Sequence, residues 1–512
     1  MARSASDRMW SLAGVLLLAG AWEIVGQADA FGRAWPPLTD VLAAFGREGQ
    51  GEIFRRALVA TGSRALRGYG FGVLLSLGLA VVALLVPLLQ EPAYRLAVVV
   101  NSVPLIAIGP LLVATLPRET APAAAATLAV FFSTFVAAVT GLGLAGAREN
   151  DVFSVLGSRR RTRISRLLVP SALPTIVAGL KLAVPGAILG TILGEWFGAD
   201  RGLGVLLLAS MDNYRVDVLW ATALLTAVLS MAVYGLLAAA EHVAARRYPR
   251  AAEFQRPPAT RQGRLARLRG FLLPFWTVVA AVGIWQWWVE VEDVPRIVLP
   301  APSSVFDDLL TSPSAYTGPA AATVVVAFAG LALGMVLGTV VAVLMSRFRL
   351  ARAMLLPSAV MFQSIPIVVV IPLLARVLGY TDQTLVAVAA AMSFFPSFVL
   401  IESGLRQAPP GTEDVFSVLG ARRNTRIRLL HLPSAVPNAF IALRISSASC
   451  VLGALTAEWL VGQHGLGHMF GRERARMGID RAWGAVLVTT GLCVTGFLLA
   501  SWAERWGRER TT

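Results

Sequence analysis

Lysine is all but missing: Lys181 is the only one in 512 residues. A phosphate-binding P-loop needs a lysine in GxxxxGK[ST] to reach the phosphates. Lys181 sits in Ala178-Gly179-Leu180-Lys181-Leu182, which is not that motif, so the chain binds no nucleotide by that route. Cysteine is nearly as scarce. Cys450 and Cys493 both lie in apolar runs without the paired spacing of a metal motif, and core packing accounts for them. Histidine occurs four times, at 242, 431, 464 and 468. His464 and His468 have the spacing of a shared ligand face, but they flank Gly465 and Gly467 in an expected loop, so no metal site is predicted. No constellation for catalysis is present, and no enzyme site is assigned. Charge is short as well, at 15% of residues, against about 25% in a soluble domain.

What fills the chain instead is apolar: 56% of residues are hydrophobic, gathered in runs long enough to cross a bilayer. Lipid offers backbone groups no water, so spans must be helices or a closed barrel. The runs do not alternate, which selects helices. The fold class is therefore an all-α polytopic membrane protein. The net charge of +15 comes from arginines in short loops beside these runs. Positive-inside topology explains that placement, and nucleic acid is not an expected partner.

One stretch occurs twice. Residues 151–174 read DVFSVLGSRRRTRISRLLVPSALP and residues 414–437 read DVFSVLGARRNTRIRLLHLPSAVP, identical at 17 of 24 positions. The same offset brings Gly194-Glu195-Trp196 onto Ala457-Glu458-Trp459, and Gly202-Leu203-Gly204 onto Gly465-Leu466-Gly467. A repeat this long means a duplicated domain rather than a solenoid. Two parallel six-helix repeats follow, about 12 transmembrane helices in all: a first domain over 1–245, a cytoplasmic linker over 246–270 and a second domain over 271–512. The spans are predicted near Met9–Gln27, Ser63–Val86, Tyr94–Leu116, Ala121–Leu144, Ser171–Phe197 and Val216–Ala240, then near 271–289, 320–345, 353–378, 383–405, 434–460 and 482–503. An even number per half gives both halves one orientation. Ala28-Asp29-Ala30 resembles a signal-peptidase site, but Trp22-Glu23 recurs internally as Trp285-Gln286, so the first helix is expected to be retained. Arginine counts put the loop at 145–170, the linker and both termini in the cytoplasm.

Polar and proline residues break the apolar pattern at repeated places. Asn101-Ser102-Val103-Pro104 matches Gln363-Ser364-Ile365-Pro366, with Pro110 and Pro372 following. Two prolines inside a span free carbonyls that protein or water must satisfy, which places these segments against other helices or a cavity. Asn101, Ser102, Pro104, Gln363, Ser364 and Pro366 are thus candidates for a translocation path. Glu195 and Glu458 are candidates too, since carboxylates in a membrane helix are functional by default. Their repetition near helix ends favours holding helix or loop structure over touching solute. Thr61, Gly68 and Gly72 match Thr323, Gly330 and Gly334 on the second helices, where glycines permit close contact.

The repeated cytoplasmic segment has its own logic. Val152, Phe153, Val155 and Leu156, with Val415, Phe416, Val418 and Leu419, make one apolar face of a two-turn helix. Asp151 and Asp414 stand where an N-cap belongs, and Gly157 and Gly420 where a helix stops. Such a face, ringed by arginines, suits a groove on another protein.

These residues resemble the EAA loop of importer-type ABC permeases: an acidic start, a glycine, then a hydrophobe and hydrophobe-Pro at fixed spacing. Asp151-Val152-Phe153, Gly157, Leu167 and Val169-Pro170 follow it, within a loop over 147–170. Asp414-Val415-Phe416, Gly420, Leu430 and Leu432-Pro433 follow it again, within 406–433. The departure is D-V-F for E-A-A. With Glu195-Trp196, Glu458-Trp459, the Ser-Ile-Pro of the third helix and the Phe-Phe-Pro of the fourth, the chain is similar to the nitrate/sulfonate/taurine permease group. The resemblance implies a fused pair of permease domains in the plasma or inner membrane that form the pore of an ATP-driven importer of a small solute. It implies two copies of a separate ATPase subunit gripping Asp151, Val152, Phe153, Leu156, Gly157 and Pro170, and Asp414, Val415, Phe416, Leu419, Gly420 and Pro433. It also implies an external solute-binding protein, with ATP and Mg on the ATPase and no cofactor here. The rival is a six-plus-six secondary transporter, which would want paired ionisable groups. Glu402 faces Val139 in the repeat, and Glu23 faces Gln286, which counts against it.

Overall fold

The computed structural model describes residues 5–86, 89, 93–94, 97, 104–143, 151–153, 155–247, 264–348, 350–352, 354–355, 362–407 and 411–511. Among them there is no strand. Helices joined by turns run in two matching series. The first holds α1 (Ala5–Gln27), α2 (Leu38–Gly46), α3 (Gln50–Leu85), α4 (Leu105–Thr115), α5 (Ala121–Gly143), α6 (Val169–Trp196), α7 (Leu203–Asp212) and α8 (Val216–Arg247). The second holds α9 (Arg264–Val291), α10 (Pro302–Thr311), α11 (Ser314–Arg347), α12 (Ile367–Leu378), α13 (Asp382–Leu405), α14 (Thr412–Val418), α15 (Leu432–Val461), α16 (Gly465–Ala475) and α17 (Ile479–Thr511).

Among the described residues, eight helices are long and apolar enough to cross a membrane: Gln50–Leu85, Ala121–Leu142, Arg161–Trp196, Val216–Arg247, Ser314–Arg347, Asp382–Leu405, Arg423–Val461 and Ile479–Trp506. Shorter apolar helices cover Ala13–Gln27, Leu105–Thr115, Leu203–Asp212 and Ile367–Leu378. The second helices begin earlier than their apolar runs predict, because hydrogen bonding continues helix past the apolar stretch into polar residues at Gln50 and Ser314. The connections expected at 35–38 and 299–302 lead into the short helices α2 and α10, each carrying an apolar stripe on a polar background.

Buried faces are built from small residues. On α3 these include Thr61, Gly68, Gly72, Ser76, Ala80 and Ala83; on α11 Thr323, Gly330, Gly334, Gly338 and Ala342. The glycines are where neighbouring backbones come closest. A Cβ on Gly68 would lie 2.4 Å from the Ala123 carbonyl oxygen of α5, and one on Gly334 would lie 2.4 Å from that of Ala390 of α13. Large side chains on the same helices, such as Phe71, Leu74, Phe328 and Val336, point outward and are exposed, as lipid-facing residues are. On α5, Phe131 stacks on Phe135 at 5.9 Å; on α13, Phe394 stacks on Phe398 at 6.1 Å.

The third helices depart from prediction. Pro104 and Pro366 are not inside a span. Each precedes a short helix in extended backbone (ψ 122° and 130°), and only Pro110 and Pro372 are helix-internal. In the second half, helix at 362–363 breaks into a turn at Ser364-Ile365 before α12 begins. A proline restricts the residue before it to extended conformations, which is why the chain breaks there. His464 and His468 are also placed differently: His464 caps α16 and His468 lies in its first turn. Their rings turn to separate partners, Asp382 Oδ1 at 2.7 Å and the Gly462 carbonyl at 3.1 Å. No metal-binding group of three or more His, Cys, Asp or Glu occurs among the described residues.

The compact units are not continuous in sequence. One comprises Met1–Gly51, Ala209–Ala223 and Val305–Thr512; the other comprises Glu52–Leu208 and Leu224–Ser304. The first helix of each repeat thus belongs to the unit built mainly from the other repeat. In the first unit, Trp22 of α1 packs on Trp220 with ring centres 5.0 Å apart, and Trp35 on Trp220 at 4.9 Å. The indole N–H of Trp220 donates to the Ala34 carbonyl at 3.0 Å, and that of Trp22 to the Pro36 carbonyl at 3.0 Å.

Candidate functional site

The described residues of the two loop helices have matching exposure. Val152 and Val415 are each 56% exposed, Val155 and Val418 88% and 87%, Leu156 and Leu419 74% and 75%. Phe153 and Phe416 are half-buried, and no residue of α14 is buried. A helix this short is far below the roughly 12–15 residues at which isolated helices become even marginal in water. Three large apolar side chains on each helix nevertheless stand clear of their own chain.

Both helices stop in the same way. Gly157 and Gly420 adopt φ of 63° and 62°, in the left-handed region that favours glycine. The Ser158 N–H donates to the Phe153 carbonyl at 3.0 Å, and the Ala421 N–H to the Phe416 carbonyl at 2.9 Å. These are the wrap-around bonds of a Schellman stop. A Cβ on either glycine would meet nothing within 4 Å. Asp414 is not the N-cap that its sequence position suggests. The helix begins two residues earlier, after Gly411 at φ 81°, and Asp414 lies in the first turn, where its charge complements the helix dipole. Asp151 is helical and exposed.

After the stop, each chain re-enters helix at once. Arg160–Arg163 and Arg423–Arg426 lead through a π-turn, Ile164–Leu168 and Ile427–His431, into α6 and α15. Pro170 and Pro433 thus lie within a continuous helical run, not at the end of a loop. Proline has no N–H to give the carbonyl four residues back, and its ring crowds that carbonyl. The wider π-turn just before it accommodates both effects: Val169 N–H reaches the Ile164 carbonyl and Leu432 N–H that of Ile427. The loop helix is therefore one short hinge away from a membrane-spanning rod.

At the far end of α6 and α15 sit Glu195 and Glu458, 1% and 0% exposed. Thr61 Oγ1 donates to Glu195 Oε1 at 2.8 Å, and Thr323 Oγ1 to Glu458 Oε2 at 2.8 Å. The Gly204 and Gly467 N–H groups each donate to the matching carboxylate at 2.9 Å. The Leu203 and Leu466 N–H groups close the ring on the threonine hydroxyls at 2.7 and 2.9 Å. The repeated Gly-Leu-Gly is explained by the same contact: a Cβ on Gly202 or Gly465 would lie 2.2 Å from the Glu195 or Glu458 carboxyl carbon. These carboxylates tie the end of the fifth helix to the second helix and to α7 or α16.

Other sequence candidates are distributed as follows. Ser364 is buried, Gln363 half-buried and Pro104 and Pro366 buried at the start of α4 and α12. Asn101 and Ser102 lie outside the described residues.

Sequence reasoning missed one pairing. Lys181 of α6 forms an ion pair with Glu241 of α8 and lies 5.5 Å from the Tyr234 ring centre. At the repeat offset, Arg444 of α15 pairs with Glu504 of α17 at 2.8 Å and lies 5.7 Å from the Phe497 ring centre. Cation, carboxylate and aromatic ring all recur, so testing charged positions at that offset would have found them.

The profile of the family described as "Binding-protein-dependent transport system inner membrane component" matches residues 72–243 and again 318–510. A probable ABC transporter permease protein of Haemophilus influenzae is 28% identical over 233 residues, 46% of this chain and 91% of the relative. The formylaminopyrimidine transport permease protein ThiX of Halalkalibacterium halodurans is 30% identical over 176 residues, 34% of this chain and 70% of the relative. The putative aliphatic sulfonates transport permease protein SsuC of Bacillus subtilis is 25% identical over 229 residues, 43% of this chain and 79% of the relative.

Proposed function

The chain belongs to the family of binding-protein-dependent transport system inner membrane components, matched once in each half, and on that footing we propose that it forms the whole solute pathway of an ATP-driven importer and is driven through its two loop helices. It is a multi-pass transport component rather than an enzyme, and its family's partners are an ABC ATPase and a solute-binding protein. In this reading one ATPase subunit engages Val152, Phe153, Val155, Leu156 and the Gly157 turn. A second engages Val415, Phe416, Val418, Leu419 and the Gly420 turn. ATP and Mg are bound on those subunits. The loops and both termini face the cytoplasm, and the binding protein delivers solute at the Glu195 and Glu458 ends.

What carries the reading is the matched, unburied apolar face of the two loop helices, residue for residue at equal exposure. Each is joined through a π-turn to a spanning helix, so a displacement of the loop is passed to a rod anchored at its other end by a buried carboxylate. Two discrete positions of that rod, each favoured by a different ligand state, are what coupling requires. The solute is a small one of the kind named for the relatives, an aliphatic sulfonate or a thiamine-precursor pyrimidine. Val155→Asp with Val418→Asp is the test. Neither side chain packs on its own chain, so the protein folds, but the ATPase no longer co-purifies and uptake stops. Retention of both would end the proposal.

A further inference from the structure

The second half has a charged cavity. It holds about 570 Å³ and opens at the loop end of α13, beside α14 and the π-turn before α15. That volume is within the roughly 300–1,000 Å³ range of small-molecule sites. Four arginines converge on it from different segments: Arg352, Arg406, Arg423 and Arg426. Glu402 is shared by two of them, 3.5 Å from Arg352 and 3.4 Å from Arg406. The other two are held by carbonyls, which position a guanidinium without neutralising it. Arg423 donates to Ser346 O at 3.0 Å and Arg426 to Ala421 O at 3.1 Å. Among the described residues neither has a carboxylate in ion-pair range. Glu413, the remaining acid, faces His431 at 3.9 Å. Positive charge is therefore in excess, and a carbonyl orients each of these two guanidinium groups.

The repeat supplies an independent argument. At the positions of Glu402, Arg406, Glu413 and His431 the first half has Val139, Gly143, Asn150 and Leu168; only Arg423 and Arg426 have counterparts, Arg160 and Arg163. The loop stop, the π-turn and the buried carboxylates recur in both halves, so the shared machinery does not require this cluster. We propose that the cavity is a binding site for an oxoanion, a phosphate- or sulfate-type group that Arg423 and Arg426 grip with their remaining N–H donors. Guanidinium groups match such oxygens by paired hydrogen bonds, and basic pockets at helix ends take anionic headgroups by the same chemistry. The group is carried by a lipid headgroup or is free in solution. The proposal stands whether or not the loops carry an ATPase.

The test uses the full chain in phosphatidylcholine nanodiscs, with backbone hydrogen exchange read over 421–431. One arm adds inorganic phosphate against chloride at equal ionic strength. The other replaces part of the lipid with phosphatidylglycerol and adds no phosphate. Saturating one arm slows exchange by about tenfold once ligand is about ten times above its dissociation constant. Slowing in the first arm identifies a free anion, in the second a headgroup. Arg423→Gln with Arg426→Gln abolishes it. Should that variant not fold, Glu402→Val with Arg406→Gly and His431→Leu, which installs the first half's residues, weakens it instead. Absence of protection in both arms overturns the proposal, as does protection undiminished in the variants or seen only when an ATPase subunit is added.

Discussion

Arg64 Nη1 lies 3.1 Å from Glu195 Oε1 inside the first repeat, and the same nitrogen donates to the Arg201 carbonyl at 2.5 Å. The position equivalent to Arg64 in the second repeat is Val326, which is buried. There, among the described residues, Glu458 Oε1 has no hydrogen-bond partner. One carboxylate is ion-paired and, among the described residues, the other is not, although both accept from a threonine hydroxyl of the second helix and from the second N–H of Gly-Leu-Gly.

Glu195→Gln removes the counter-charge and strands the buried Arg64. Breaking a buried pair from one side costs about 3–5 kcal/mol, whereas replacing a carboxylate that holds only neutral donors costs about 1 kcal/mol. Unfolding of the two single variants, Glu195→Gln and Glu458→Gln, in mixed micelles is expected to separate by that margin. Equal losses would mean that Arg64 contributes nothing.

Lys181 with Glu241 and Arg444 with Glu504 join the fifth and sixth helices at equivalent points. A double-mutant cycle on Arg444→Met and Glu504→Gln is expected to give a coupling energy within about 0.5–3 kcal/mol. Exchanging the partners, Lys181→Glu with Glu241→Lys, should restore most of what either change loses. A coupling of zero would leave the recurrence without an energetic role.

The loop glycines give a graded prediction. Neither has a neighbour within reach of a Cβ, so backbone conformation alone opposes substitution within this chain. Asn tolerates the left-handed region and Val does not. Gly420→Asn should keep most ATPase co-purification, and Gly420→Val should lose most of it while the membrane helices unfold at the native midpoint. Identical behaviour of Asn and Val would show that the turn's φ does not matter.

Glycines on the second helices of the two repeats should differ sharply. A Cβ on Gly334 would fall 1.9 Å from Ser393 Oγ, whereas one on Gly70 would meet nothing within 4 Å. Gly334→Ala overpacks the α11–α13 contact, at about 1–3 kcal/mol. Gly70→Ala should be neutral or stabilising by up to about 1 kcal/mol, since alanine is the better helix former. Thermal unfolding of the two variants checks both.

Much of this was written in local pattern. The apolar runs gave the spanning helices because a bilayer accepts little else, and the repeat gave the duplication because 17 of 24 identities leave no other reading. Gly157 and Gly420 announced their stops, since few residues adopt that φ. Asp414 misled, because an acid belongs to an N-cap and to a first turn alike. Pro170 misled in a similar way: proline ends most helices, and here a π-turn lets one pass.

Composition, periodicity and the 263-residue offset were enough to establish an all-helical, twice-built membrane protein with two exposed apolar loop segments. They are properties of single segments and of their copies. Folding alone decided that Thr61 and Glu195 meet across 134 residues, that α1 belongs with the unit made mostly of the other repeat, and that Arg352, Arg406, Arg423 and Arg426 share one cavity. Such meetings depend on which helix faces which, and that is settled by the packing of small residues across helix faces, where no local pattern reaches.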